Sequence, residues 1–195
     1  MTVAAPYVTV CHRHIYFGKV ISIAIIITIE EWQSLVTTYV QEINPIIHRA
    51  RVARLATADS KAKPHIVPVV FAFDGEKYYI PIDKKTKTTK PKELRRIKNI
   101  DANPAVALLI DEYNEDWKKL LFIMVQGKAA ILGKKKGNDE GTREEEDGDD
   151  KLLKKAHKLL YTKYPQYQLI DIGKLSIVIY PQKTIFWNMF SRKNK

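Results

Sequence analysis

The sequence predicts a mainly β protein with flanking helices, an α+β fold built on an antiparallel barrel. Three observations carry this. Short segments rich in β-branched and aromatic residues recur between turn signals, about six or seven in all, with only two or three helical stretches among them. Asp74-Gly75 between two apolar segments is a strong hairpin cue. The chain has 195 residues, 45% of them hydrophobic, which suits one domain with a real core. Hairpin spacing favours an antiparallel barrel over a parallel α/β sheet.

The elements follow in order. Residues 30–50 read as a helix, because Trp32, Leu35, Val36, Tyr39, Val40 and Ile43 recur at three- and four-residue spacing. Asn44-Pro45 is expected to interrupt it. Val52–Ala58 reads as a strand, Asp59–Lys63 as a polar loop, and Pro64–Phe73 as a second strand. Pro68 puts that second strand at an edge or a bulge, since it cannot donate to a ladder. Lys77–Asp83 completes the hairpin. Leu94, Ile97 and Ile100 give the next stretch, Lys84–Asn99, one apolar edge, so it reads as a loop entering a helix that Asn103-Pro104 stops. Ala105–Asp111, Leu120–Gln126 and Lys128–Leu132 read as strands. Residues 133–150 are highly charged and poor in apolar residues, so a disordered insertion is expected there. A helix over Lys151–Tyr164 and strands over Lys174–Tyr180 and Thr184–Phe190 close the chain.

Residues 1–29 are expected to be an extension outside this unit, and residues 30–195 the domain itself. Val20–Ile29 is apolar, but its ten residues are about half of what a bilayer span needs. Glu30 and Glu31 follow it in place of a small-residue cleavage site. An added strand or a loose extension is the reading, with no membrane span. The single cysteine, Cys11, excludes a disulfide framework and a cysteine-rich zinc site, and fits a reducing, cytoplasmic setting. His12, His14, His48, His65 and His157 form no metal-binding spacing, so no metal is expected.

The net charge of +11 is uneven: residues 139–150 hold eight acids against one arginine, a local −7, which leaves +18 elsewhere. Such a surplus attracts anions, although a lysine-rich solvated surface produces the same number. The densest part is Asp83–Lys98 (DKKTKTTKPKELRRIK), with eight bases against two acids. Thr86, Thr88 and Thr89 interleave with the bases, and a helix start lies nearby. A phosphate monoester wants these groups: cations, hydroxyl donors and free backbone N–H groups at a helix N-terminus. A charge run is ordinarily a solvated face, so this stretch by itself does not decide.

The order of short motifs does more. Arg51–Thr57 (RVARLAT) is followed by Pro64–Val69 (PHIVPV), the Asp74-Gly75 hairpin and Asp83–Lys87 (DKKTK). Then come Leu94–Ile100 (LRRIKNI), Asn103-Pro104, Val106–Leu109 (VALL), Asp111, Tyr113, Glu115–Trp117 and a strand ending at Gly127. This succession resembles the pyridoxamine-5′-phosphate-oxidase-like proteins, nearest to their small deazaflavin-dependent branch. The resemblance covers residues 47–132 in order and 174–190 more loosely. It departs at Ala62, where the family has glycine, and at the long acidic stretch 133–150.

The resemblance implies a split antiparallel β-barrel of the FMN-binding type, a homodimer with FMN or deazaflavin coenzyme F-420 in a groove between protomers. It implies hydride transfer to or from a small organic substrate. Carried over by position, Leu55, Ala56 and Thr57 would line the ring with Val67, Pro68 and Val69. Lys87, Thr88 and Lys90 would hold the phosphate, and Ile82 and Asp83 also belong to the cofactor site. Trp117 and Trp187 are ordinarily core aromatics, and either, Trp117 in particular, could stack on the ring at a dimer interface. Counting back from Asn103-Pro104 puts the main phosphate cation on Arg96, whereas counting forward from the strand puts it on Lys87. No nucleophile–base arrangement or carboxylate pair is recognisable, so no catalytic side chain is assigned. A cofactor carrier or sensor of the same fold without turnover is one alternative. A nucleic-acid-binding barrel is the other, disfavoured because the bases cluster in one short segment and the acidic stretch would repel a polyanion.

Overall fold

The computed structural model describes residues 8–11, 14–17, 40–83, 93–134 and 143–189. It contains a curled antiparallel sheet of nine strands: β1 (Val8–Cys11), β2 (His14–Phe17), β3 (Ala53–Ala58), β4 (Pro64–Val69), β5 (Ala72–Phe73), β6 (Tyr78–Pro81), β7 (Ala105–Glu112), β8 (Leu121–Leu132) and β9 (Ser176–Asn188). The strands run β2-β1-β9-β8-β7-β3-β4, with β6 on β9 and β5 on β6. Strands β3 to β9 form the split barrel, and β4 lies at its open edge, where Pro68 needs no partner for a missing N–H.

Two strands are longer than their sequence suggests. Gly127 does not end β8; it marks a register shift between Gln126 and Gly127 inside one continuous strand. A Cβ at Gly127 would stand 2.2 Å from the Tyr180 carbonyl oxygen, so glycine is what lets β9 approach. Pro181 faces Gly127 across this irregularity, and β9 runs straight through it to Asn188. Holding β8 on one edge for its whole length, β9 pairs on the other with β6 through Ser176–Ile179 and with β1 through Lys183–Phe186. The N-terminal hairpin β1–β2 therefore extends the sheet. Val20–Ile29 lies outside the described residues.

Among the described residues three helices flank the sheet: α1, described over residues 40–49, α2 (Arg95–Ala102) and α3 (Arg143–Lys163). Helix α1 continues through Asn44-Pro45 rather than stopping there. Burial of Ile43, Ile46 and Ile47 on one face outweighs the propensity cost of the proline. Helix α3 begins at Arg143, eight residues before the expected start at Lys151, and so takes in residues 143–150 of the acidic stretch; residues 135–142 lie outside the described residues. Glutamates are good helix formers, and acids in the N-terminal half of a helix complement its dipole.

The main core joins Leu55, Leu108, Ile110, Ile123, Val125, Ile177 and Ile179 to the inward faces of α1 and of α2, through Ile97 and Ile100. Each such side chain contributes about 1.5–3 kcal/mol on burial. Helix α3 covers a second cluster around Tyr79, Leu132, Ala156 and Val178. Among the described residues no helix is long and apolar enough to cross a membrane.

The β3–β4 turn settles the departure at residue 62. Ala62 adopts the left-handed φ of 59° that the family's glycine would take without strain. The turn is held by the Asp59 side chain, which accepts the N–H groups of Lys61 and Lys63, both at 2.9 Å.

Candidate functional site

Strand alternation divides the six residues expected to line a ring. Successive side chains of a strand face opposite ways, so a run of three cannot share one face. On β3, Leu55 is fully buried in the core and Thr57 is nearly so, whereas Ala56 faces outward. On β4, Val67 packs against the core and Val69 is buried, whereas Pro68 is exposed. The outer face thus carries Ala56 and Pro68 beside Ile66, which is 65% exposed.

Two clefts border these strands. One, of about 290 Å³, is lined by Val52, Pro68, Val69, Val70, Ile80, Pro81, Asp83 and Arg96. It brings together four of the expected residues, from β4, from the end of β6 and from α2. The other, of about 430 Å³, opens at the far end of β3 and β4 and is bordered by Ala56, Thr57, Pro64, Ala107, Gln126 and Gln182. Thr57 is tied down there: its hydroxyl accepts the Asn99 Nδ2 at 2.9 Å and lies 3.5 Å from the His65 carbonyl. Asn99 belongs to the quoted LRRIKNI motif, yet no role was assigned to it. Its 1% exposure shows that it fixes α2 to β3.

The first cleft has the stronger electrostatics. The Arg96 Nε is buried without a hydrogen-bond partner among the described residues. Burial pushes the Arg96 pKa down, and the nearby Asp83 charge pulls it back. Asp83 is 8% exposed and accepts the Tyr167 hydroxyl at 3.2 Å. Burial, with the Asp83 carboxylate beside it, pushes the Tyr167 hydroxyl well above the usual phenol range. Ile82 is buried in the core next to this corner. Lys87, Thr88 and Lys90 lie outside the described residues. Trp117 opens the short 3-10 turn Trp117–Lys119 between β7 and β8, is 62% exposed, and lines neither cleft. Tyr167 was missed by sequence reasoning; it follows α3 in a second short turn, Pro165–Gln168, far along the chain from Asp83, with no motif around it.

Among the described residues no group of three or more histidines, cysteines or acids could hold a metal ion. What the first cleft offers is a guanidinium with an unused donor, apolar walls from Pro68 and Val69, and a buried carboxylate. That set suits an organic ligand carrying an anionic end.

Comparison with known proteins bears on the fold that carries this corner. Residues 39–163 match the pyridoxamine 5′-phosphate oxidase family, a span that contains β3 to β8, α2 and both clefts apart from Gln182. The chain belongs to that family. Solved structures agree on the fold of this family member. A conserved hypothetical protein from Mycobacterium tuberculosis shares 18% identity, with 77% of this chain and 84% of that one covered and a TM-score of 0.55. General Stress Protein 26 from Bacillus anthracis shares 19%, with 77% and 98% covered and a TM-score of 0.51. A structure described as a FAD-binding protein from Mesorhizobium loti shares 19%, with 75% and 91% covered and a TM-score of 0.50. No curated protein matches the sequence.

Proposed function

We propose that the protein binds FMN or a deazaflavin phosphate and transfers hydride between the cofactor ring and a small organic substrate. The observation that carries this reading is Arg96: a guanidinium whose buried Nε has no partner among the described residues, on the wall of a cleft inside the family span. A buried donor left unmade is costly, so a site that keeps one is built for a ligand that supplies the acceptor. In this reading Arg96 takes the phosphate, and Lys87, Thr88 and Lys90 are the further phosphate ligands that the resemblance implies. The ring rests along the outer face at Ala56 and Pro68. The bound ring supplies the hydride chemistry, and the chain binds it, orients it and screens it from water.

A cleft of about 290 Å³ is at the small end for such a ligand, so a second protomer would complete it. The outer face supports that assembly. Ile66, Pro68, Ala107, Leu109, Phe122, Met124 and Trp187 share it, and Phe122 stacks on Trp187 with ring centroids 5.7 Å apart. Sedimentation should give about twice the 22.5 kDa chain mass. A clean monomer at micromolar concentration would count against a shared site.

The direct test is titration with FMN and with coenzyme F-420, followed by absorbance and fluorescence. Arg96→Ala should lose about one to two decades of affinity, since a charge-assisted contact is worth roughly 1.5–3 kcal/mol. The same measurement on Lys87→Ala and Lys90→Ala ranks the three cations. If all three variants bind both cofactors as the parent does, the assignment is wrong.

A further inference from the structure

A third cleft, of about 400 Å³, is bordered by α1 and by the ends of β7, β8 and β9, and shares no lining residue with the two beside β3 and β4. Part of its lining is apolar: Ile46 of α1 and Phe186 of β9 are 7% and 6% exposed. The rest is ionic, and two polar bridges brace it. Arg49 of α1 reaches Glu112 of β7 at 2.5 Å, and Asn188 of β9 donates its Nδ2 to the Glu42 Oε1 of α1 at 2.8 Å. The turn Trp117–Lys119 is pinned as well. The Asp116 side chain accepts the Lys118 N–H at 3.2 Å, and the Met189 N–H donates to the Leu120 carbonyl at 3.3 Å. The polar groups around this cleft are therefore preorganised.

Charge pairing there is incomplete. Arg49 has Glu112, and Lys119 has Asp116 at 3.6 Å. Among the described residues Lys118 has no carboxylate partner, and Glu42 has a neutral amide but no cation. A carboxylate has about four acceptor positions, and Asn188 fills one of those on Glu42. Glu42 and Lys118 stand on different walls, one on α1 and the other on the turn. A plain anion meets attraction from Lys118 and repulsion from Glu42, and a plain cation meets the reverse. A molecule with both charges and an apolar body suits the whole lining.

We propose that this cleft binds an apolar amino acid, with Lys118 taking the carboxylate, Glu42 the ammonium group, and Ile46 and Phe186 the side chain. The site is independent of the flavin reading, because no residue serves both.

The experiment is calorimetric titration of the full chain with leucine, with isocaproate, which lacks the ammonium group, and with isoamylamine, which lacks the carboxylate. Leucine should bind at least about tenfold tighter than either, the size of one contact to a charged group. Lys118→Met should cost leucine about ten- to a hundredfold and leave isoamylamine binding as it was. Glu42→Gln keeps an oxygen for the Asn188 amide; it should weaken leucine by a similar factor and leave isocaproate no weaker. In NMR spectra of the labelled chain, leucine should move the amide signals of Arg49, Lys118 and Leu121 and not those of Val69 and Arg96. Leucine binding no tighter than its analogues, no binding at millimolar concentration, or shifts centred on Val69 and Arg96 overturns the proposal. So does a Lys118→Met variant that binds leucine as the parent does. Both substituted side chains are exposed, and should either variant still fail to fold, the three ligands compared on the parent decide. Failure of FMN and coenzyme F-420 to bind sinks the flavin reading and leaves this site standing. Cofactor binding without leucine binding does the reverse.

Discussion

Two aspartates bracket β6, and they differ in what surrounds them. Asp74, before the strand, has a side chain only 2% exposed and is saturated by its own chain. Lys155 of α3 lies 2.5 Å away, the Tyr79 hydroxyl 2.9 Å, and the N–H groups of Glu76 and Lys77 at 2.9 and 2.6 Å. Burial alone would raise its pKa, but these donors hold it at about 2. Asp83, after the strand, shares a cleft with Arg96 and accepts the Tyr167 hydroxyl. The first is a clamp between the hairpin and α3. The second faces open volume. A buried carboxylate reads as structural when the chain itself fills its acceptor positions, and as ligand-facing when a cavity lies against it.

Replacing Asp74 should break this contrast with the largest effect. Asp74→Ala strips acceptors from two backbone N–H groups, a tyrosine hydroxyl and a lysine, and should cost about 2–4 kcal/mol by denaturant unfolding. An Asp83→Ala variant, at a cleft where water can reach the donors left behind, should cost less. Equal losses would erase the distinction between clamp and ligand residue. The acid limb sharpens it further. Asp74 has its folded pKa depressed from 3.8 to about 2, so its contribution is complete above the unfolded value and is lost as pH falls through about 4 to 2. The stability of Asp74→Asn should be flatter than the parent's across that window. A parallel slope in both proteins would show that Asp74 is not the group titrating.

These two corners were legible to different degrees. Asp74-Gly75 announces itself, because a tight turn leaves its mark on adjacent residues, and Gly75 has the expected positive φ of 98°. The edge position of β4 was equally readable from Pro68, since proline's missing N–H is a local property. The lengths of β8 and β9 were not. Gly127 and Pro181 look like strand breakers separately, and only their pairing across the sheet makes them one irregularity in two continuous strands. Helix α3 hid its start in a run of acids whose charge suggested disorder while their propensity favoured helix. At the site, composition pointed to the basic stretch and the motif order to Arg96 or Lys87; Arg96 lines the first cleft, and Lys87 lies outside the described residues. Strand alternation should have separated Ala56 and Pro68 from Leu55, Val67 and Val69, whereas the Tyr167–Asp83 bond joins residues 84 apart and left no local trace.

A half-buried lysine gives the smallest effect and the opposite sign. Lys163 ends α3 with its Nζ 4.1 Å from the centroid of the Phe71 ring and donating to the Ile47 carbonyl at 3.2 Å. Burial, assisted by the neighbouring Arg51 charge, pushes its pKa down to about 8 from 10.5. Because the folded state releases this proton first, the unfolded chain binds more protons between those values. Stability attributable to Lys163 therefore rises with pH from about 8 to 10.5, and its burial penalty is fully present below 8. Lys163→Met exchanges a cation–π contact of about 0.5–1 kcal/mol and one hydrogen bond for apolar packing and relief of that penalty. Near pH 7 the two nearly cancel, within about 1 kcal/mol. The informative quantity is the difference between variant and parent, which removes the tyrosines and other lysines common to both. That difference should shift toward the parent as pH climbs from 8 to 10.5. If it stays constant, Lys163 is charged and solvated in the folded protein, and the comparison rests on the two aspartates alone.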